Sequence, residues 1–189
     1  MMKKIAILAS GAGTNAENIA QYFSQNDRIK VALIVSNNPK AGVLERAVRL
    51  GIPSEVVLKA DWASGESVVT LLRRYEIDFI VLAGFLCMVP DALLRAFPDR
   101  IVNIHPALLP KFGGKGMYGM RVHEAVVAAG EAESGITIHY INEHYDEGTV
   151  IFQASCPVLP SDTPEEVAAK VHRLEYAYYP KVIEKLLRD

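Results

Sequence analysis

Only two cysteines occur among 189 residues, and Cys87 and Cys156 stand too far apart for a CxxC pair. Neither a zinc knuckle nor a disulfide framework is suggested by that spacing, and a reducing compartment, the cytoplasm, is expected. Long apolar runs are missing as well. The run after Met1-Met2-Lys3-Lys4 extends only from Ile5 to Ala9, short of a signal-peptide core and far short of the ~20 residues of a membrane-crossing helix. Neither charge is in excess: Lys+Arg 20 against Asp+Glu 22 gives a net charge of −2. The basic residues are scattered, so no stripe faces a nucleic acid or an anionic bilayer. The five histidines (105, 123, 139, 144 and 172) fit no HExxH or His/Cys spacing, and no metal is expected. Ser10 and Ser36 lie outside any nucleophile-elbow pattern, which leaves covalent serine catalysis without support. Small-molecule partners remain. Whether the chain forms a homo-oligomer is left open by the sequence.

What is present is half hydrophobic, at 50% of residues, enough for one large core, and a single domain over residues 1–189 is expected. Ile5 to Ala9, Val31 to Val35 and Phe79 to Leu82 are short continuous apolar runs, the signature of strands covered on both faces. Helical stretches alternate with them: Ala16 to Phe23, Val43 to Leu50 and Ser67 to Tyr75, with a short strand at Glu55 to Leu58. This alternation predicts a Rossmann-like α/β domain, a mostly parallel mixed sheet with helices on both faces. Ile101 to His105 is a further strand, stopped by Pro106. After a glycine-rich loop (Gly113, Gly114, Gly116, Gly119) comes a helix around Val122 to Ala129. Gly135 to Ile141 and Thr149 to Ser155 then form an antiparallel hairpin. Thr163-Pro164-Glu165-Glu166 opens a long last helix, with Val167, Val171, Leu174, Tyr178, Val182 and Leu186 as its apolar stripe and a kink at Pro180.

Three places carry candidate chemistry. Gly11-Ala12-Gly13-Thr14-Asn15 lies between the first strand and the first helix, where backbone N–H groups and the helix dipole attract a phosphate or carboxylate. A dinucleotide site competes, because Ala16 fills the third small position. Against it, Ser36-Asn37-Asn38 follows the second strand where a ribose-binding acid belongs. A plain tight turn would need the same glycines. In Asn103-Ile104-His105, strand alternation sends the amide and the imidazole to one side, two donors suited to an oxyanion, although a strand-end histidine is often structural. Asp146-Glu147-Gly148 supplies a carboxylate that would favour a charged His105 or hold a water for proton transfer, and is equally a common turn former.

Taken together, Ser10-Gly11-Ala12-Gly13-Thr14-Asn15, Leu82-Ala83-Gly84-Phe85-Leu86, Asn103-Ile104-His105-Pro106-Ala107-Leu108-Leu109-Pro110 and Asp146-Glu147-Gly148 resemble the phosphoribosylglycinamide formyltransferase family, nearly end to end. The Asn-x-His-Pro-x-Leu-Leu-Pro string is the most specific element. The resemblance implies transfer of the formyl group of 10-formyltetrahydrofolate to the amine of glycinamide ribonucleotide, in purine biosynthesis, by direct attack through a tetrahedral oxyanion and without a metal. It implies Asn103, His105 and Asp146 as catalytic residues. Gly13, Thr14 and Asn15 would hold the substrate phosphate and Glu175 its ribose. Leu86, Cys87, Met88 and Val89, with Asn103 and the loop near Asp146, would receive the folate.

Departures from the family pattern are Ala107 and Cys87, where many relatives carry Ser and Arg. The Lys111 to Met120 loop is longer than in several relatives, and Gly65 stands where some place a basic residue for the folate tail. A methionyl-tRNA formyltransferase would add a C-terminal domain and a formyltetrahydrofolate hydrolase an N-terminal one; neither is expected here. A non-catalytic phosphate-binding module would explain the glycines but not Asn103 and His105.

Overall fold

The computed structural model describes residues 1–188. Seven strands form one sheet in the order β3-β2-β1-β4-β5-β6-β7. They are β1 Lys3–Leu8, β2 Ile29–Ser36, β3 Ser54–Val56, β4 Phe79–Leu82, β5 Ile101–His105, β6 Glu133–Tyr140 and β7 Val150–Pro157. The first five run parallel, and β6 and β7 are antiparallel additions. The helices are α1 Thr14–Tyr22, α2 Gly42–Leu50, α3 Lys59–Trp62, α4 Glu66–Arg74, α5 Asp91–Ala96, α6 Met120–Ala128 and α7 Pro164–Leu187.

The continuous apolar strands are continuous because both faces are covered. Ile5 and Ile7 of β1 enter a core shared with α1, α2, α6 and α7, whereas Ala6 and Leu8 enter a second core under α3, α4 and α5. Each fully buried Ile or Leu contributes about 1.5–3 kcal/mol. The strand order reverses beside β1, whose neighbours β2 and β4 lead away in opposite directions. A crevice opens at such a switch point, outside the strands' carboxyl ends.

α7 starts as its sequence indicates. Glu166 N–H donates to Thr163 Oγ1 at 3.2 Å and Thr163 N–H to Glu166 Oε2 at 2.7 Å, a reciprocal cap with Pro164 in the first turn. The helix continues through Pro180, the position of the expected kink. Proline takes no part in donating to the carbonyl four residues back, and that carbonyl, on Tyr176, accepts instead from Asn18 Nδ2 at 3.1 Å. The buried row is also turned from the expected stripe: Val167, Val171, Glu175, Tyr179 and Ile183 face inward, and Tyr178 is exposed. Tyr179 is fully buried, and its hydroxyl donates toward Leu82 O at 2.8 Å and Val102 O at 3.3 Å.

Other differences are local. The single-turn helix α3 and the short α5 have no counterpart in the sequence reading, and α1 begins two residues earlier than its periodicity indicates. No helix among the described residues is long and apolar enough to cross a membrane.

Candidate functional site

A cleft of about 730 Å³ lies over the carboxyl ends of β1, β4 and β5, within the range of small-molecule sites. All three sequence motifs converge on it, and α7 adds His172 and Glu175 to its wall.

At one end is the start of α1. Gly13 has φ +76° and is the residue before the first helical turn, which no side chain caps. The first N–H groups therefore lack intrahelical partners and carry the positive end of the helix dipole. Glycine is required at position 13 on two grounds. The left-handed φ disfavours other residues, and a Cβ there would lie 2.4 Å from Val43 Cγ2 and 2.8 Å from Val43 Cα. Asn15 Nδ2 donates to Glu175 Oε2 at 3.0 Å, while Asn15 Oδ1 is buried without a partner. Glu175 is only 4% exposed; its carboxylate also accepts from His172 Nδ1 at 2.8 Å. That bond raises the His172 pKa above its ordinary value, against the opposing effect of burial.

The position at which a dinucleotide site keeps its ribose-binding acid is occupied otherwise. Ser36 is fully buried, and the Asn37 amide is spent between Ser10 Oγ, which donates to it at 2.6 Å, and Cys87 Sγ, to which it donates at 2.9 Å.

At the centre are Asn103 and His105, both in the cleft wall. His105 Nε2 donates to Phe112 O at 2.7 Å, and its Nδ1 lies 3.5 Å from Asp146 Oδ2. Asp146 holds a left-handed φ of +57° and accepts from Gly114 N–H at 2.9 Å. It is thereby gripped from the glycine-rich loop and aimed between two histidines, since its Oδ1 is 3.7 Å from His139 Nε2. Gly148 closes the same turn against β6: a Cβ there would meet Tyr140 O at 1.6 Å. Asn103, His105 and Asp146 are thus brought together.

His139 was not singled out by the sequence. It pairs with Asn103 across the β5–β6 ladder and is fully buried; burial lowers its pKa, with Tyr140 O and Asp146 acting in the opposite direction. Thr137, paired with His105, is a second omission. Its hydroxyl donates to Ala107 O at 2.7 Å and accepts from Leu109 N–H at 3.0 Å, tying down the loop after His105. His123 is a third: it is buried in the cleft wall with Nδ1 unpaired.

The other end is apolar. Leu86 and Met88 are 54% and 51% exposed, while Val89 is buried beneath them. Leu86 N–H donates to Ser10 Oγ at 2.9 Å, which links this segment to the β1 turn. Gly65 is not in the cleft wall; it abuts Pro90, with a Cβ position 2.6 Å from Pro90 Cγ. Among the described residues no group of three or more His, Cys, Asp or Glu is arranged to hold a metal ion.

Residues 3–183 match the model of a family described as formyl transferase. The chain is 44% identical over 193 residues to a chloroplastic phosphoribosylglycinamide formyltransferase of Arabidopsis thaliana, covering 99% of this chain and 66% of the relative. It therefore spans just under two thirds of that plant protein's length. To the phosphoribosylglycinamide formyltransferase of Bacillus subtilis (strain 168) it is 37% identical over 191 residues, covering 98% of this chain and 95% of the relative. The crystal structure of glycinamide ribonucleotide transformylase 1 from Symbiobacterium toebii superposes with a TM-score of 0.91 at 33% identity, covering 99% of this chain and 88% of that one.

Proposed function

The chain belongs to the formyl transferase family, and from that premise we propose that it moves a formyl group from 10-formyltetrahydrofolate, its co-substrate, to the primary amine of glycinamide ribonucleotide. The observation that carries this reading is the convergence of Asn103, His105 and Asp146 in one cleft whose two ends differ in kind. One end offers uncapped helix N–H groups and the Asn15–Glu175 pair. The other offers exposed Leu86 and Met88 over buried Val89, a surface suited to a flat heteroaromatic ring. Cys87 sits between them with its sulfur engaged by Asn37.

In this reading the N–H groups at Gly13, Thr14 and Asn15 take the phosphate, and Glu175 accepts from ribose hydroxyls. The amine is held against the formyl carbon, so that attack is effectively unimolecular. Asn103 donates an amide N–H to the formyl oxygen as negative charge develops there, and His105 stabilises the same charge. Asp146 stands beside His105 Nδ1, where it stabilises positive charge on the ring and receives the amine's proton through water; collapse of the tetrahedral intermediate then breaks the bond between the formyl carbon and N10, and N10 leaves with the electron pair and takes up that proton, releasing tetrahydrofolate. No covalent enzyme intermediate and no metal enters these steps. The setting proposed is the cytoplasm, in keeping with two unpaired cysteines.

The test is an assay with glycinamide ribonucleotide and 10-formyltetrahydrofolate, following folate absorbance. Turnover is expected, with a loss of ~10²–10³ in His105→Ala, the usual effect of removing one oxyanion donor. Ribonucleotide binding without turnover would leave only a phosphate-binding module.

A further inference from the structure

His123 lies on α6, in the cleft wall, and is only 2% exposed. Its Nδ1 is sealed from solvent and has no hydrogen-bond partner. A sealed N–H without an acceptor is among the rarest arrangements in folded proteins, so the proton belongs on Nε2. Nε2 is not among the sealed, unpartnered atoms, and the ring lines the cleft. Burial and the neighbouring His172 and His105 lower the His123 pKa, against the opposing pull of Glu175. The ring is therefore neutral near pH 7, with one donor to offer. Its position is shared: the His172 ring is 6.4 Å away by centroid, in edge contact, and Glu175 and His105 line the same cleft. Through His172, which bonds Glu175, it adjoins the Glu175 end of the site.

We propose that His123 binds the acceptor nucleotide, donating Nε2–H to an oxygen of its sugar or glycinamide carbonyl and so fixing the amine's distance from His105. This rests on the acceptor assigned above. An oxygen is required because Nε2 is a donor, and a neutral group is favoured over the phosphate because the helix N-terminus already supplies the anion site. Asn15 Oδ1, another buried atom without a partner in the same wall, adds an acceptor at the sugar end, and a sugar hydroxyl both donates and accepts.

The experiment is calorimetric titration of wild-type protein and His123→Asn with glycinamide ribonucleotide and, separately, with a folate analogue, alongside steady-state kinetics. Ribonucleotide Kd and KM should rise about tenfold, as for loss of one hydrogen bond, with folate Kd unchanged. A fold-wide defect would weaken both ligands and lower the melting temperature. Should the variant not fold, ¹⁵N-histidine NMR of the unaltered protein gives the answer: His123 Nε2 should shift on adding ribonucleotide and not on adding folate. If wild-type protein binds the ribonucleotide while the variant binds it equally well, or the Nε2 signal stays in place, the inference is overturned. If wild-type protein does not bind it at all, the acceptor assignment fails instead.

Discussion

His139 Nε2 lies 3.2 Å from Asn103 Nδ2, while its Nδ1 donates to Tyr140 O at 2.9 Å. The second bond places the proton on Nδ1, so Nε2 accepts, and the Asn103 amide is oriented with one N–H toward His139 and the other free. Burial keeps the ring neutral for this purpose. His139→Ala should therefore lower kcat by ~10–10²-fold, the range for a misplaced reacting group, with KM for either substrate little changed. Steady-state kinetics checks this; a KM effect without a kcat effect would mean that the ring does not act through Asn103.

Protein stability should fall on the acid side of neutrality. His139 and His123 have pKa values lowered from 6.5 in the fold. Their contribution is fully present above pH 6.5 and is lost as pH falls toward the folded values, because the unfolded chain binds protons that the buried rings refuse. His172 has the opposite sign: its raised pKa gives stability that is present below 6.5 and lost as pH rises through the folded value. Melting temperatures from pH 5 to 8 should show the acid decline, and His139→Gln should flatten it while melting lower at pH 8.

Gly13 separates binding from packing in a measurable way. Gly13→Ala forces a Cβ into Val43 and a left-handed backbone onto alanine, a strain of about 1–3 kcal/mol. Both the melting temperature and ribonucleotide affinity should drop. Adding Val43→Ala removes Cγ2 and should recover part of the melting temperature but little of the affinity, as read by calorimetry on the double variant. Gly13→Val, a larger intrusion, tests folding before it tests binding.

Glu175→Gln removes the carboxylate that raises the His172 pKa. NMR titration should find the His172 pKa lowered toward 6.5, and calorimetry a weaker ribonucleotide complex with folate binding unaffected. An unmoved His172 titration would contradict the 2.8 Å contact.

The sheet was legible in the sequence where burial on both faces left uninterrupted apolar runs, and β5 matches its expected residues to both ends. α3 was not, because one helical turn carries no periodicity. It is held by Trp62, whose Nε1–H donates to Val57 O at 2.8 Å and whose ring packs 4.8 Å from Phe85. The inward face of α7 was misread because a carboxylate occupies its middle. Glu175 is tolerated there by its bonds to Asn15 and His172, which lie 160 and 3 residues away in sequence. Asn103 and His105 were legible from a strand end alone. His139 required the β5–β6 register, and the aim of Asp146 required a loop amide from Gly114, neither of which any local pattern encodes.

Tyr179 gives the site a fixed span. Its hydroxyl meets the carbonyls of Leu82 and Val102, the residues that immediately precede the Ala83 turn and Asn103, and one helical turn earlier on the same α7 row stands Glu175. Burial holds the phenol pKa well above its ordinary range, so the ring remains a donor under all working conditions. The carboxylate assigned to the sugar and the amide assigned to the formyl oxygen are consequently mounted on one rigid strut. An acceptor lengthened by a single methylene between sugar and amine is therefore expected to react more slowly than glycinamide ribonucleotide, a difference that kcat/KM on the two acceptors would read.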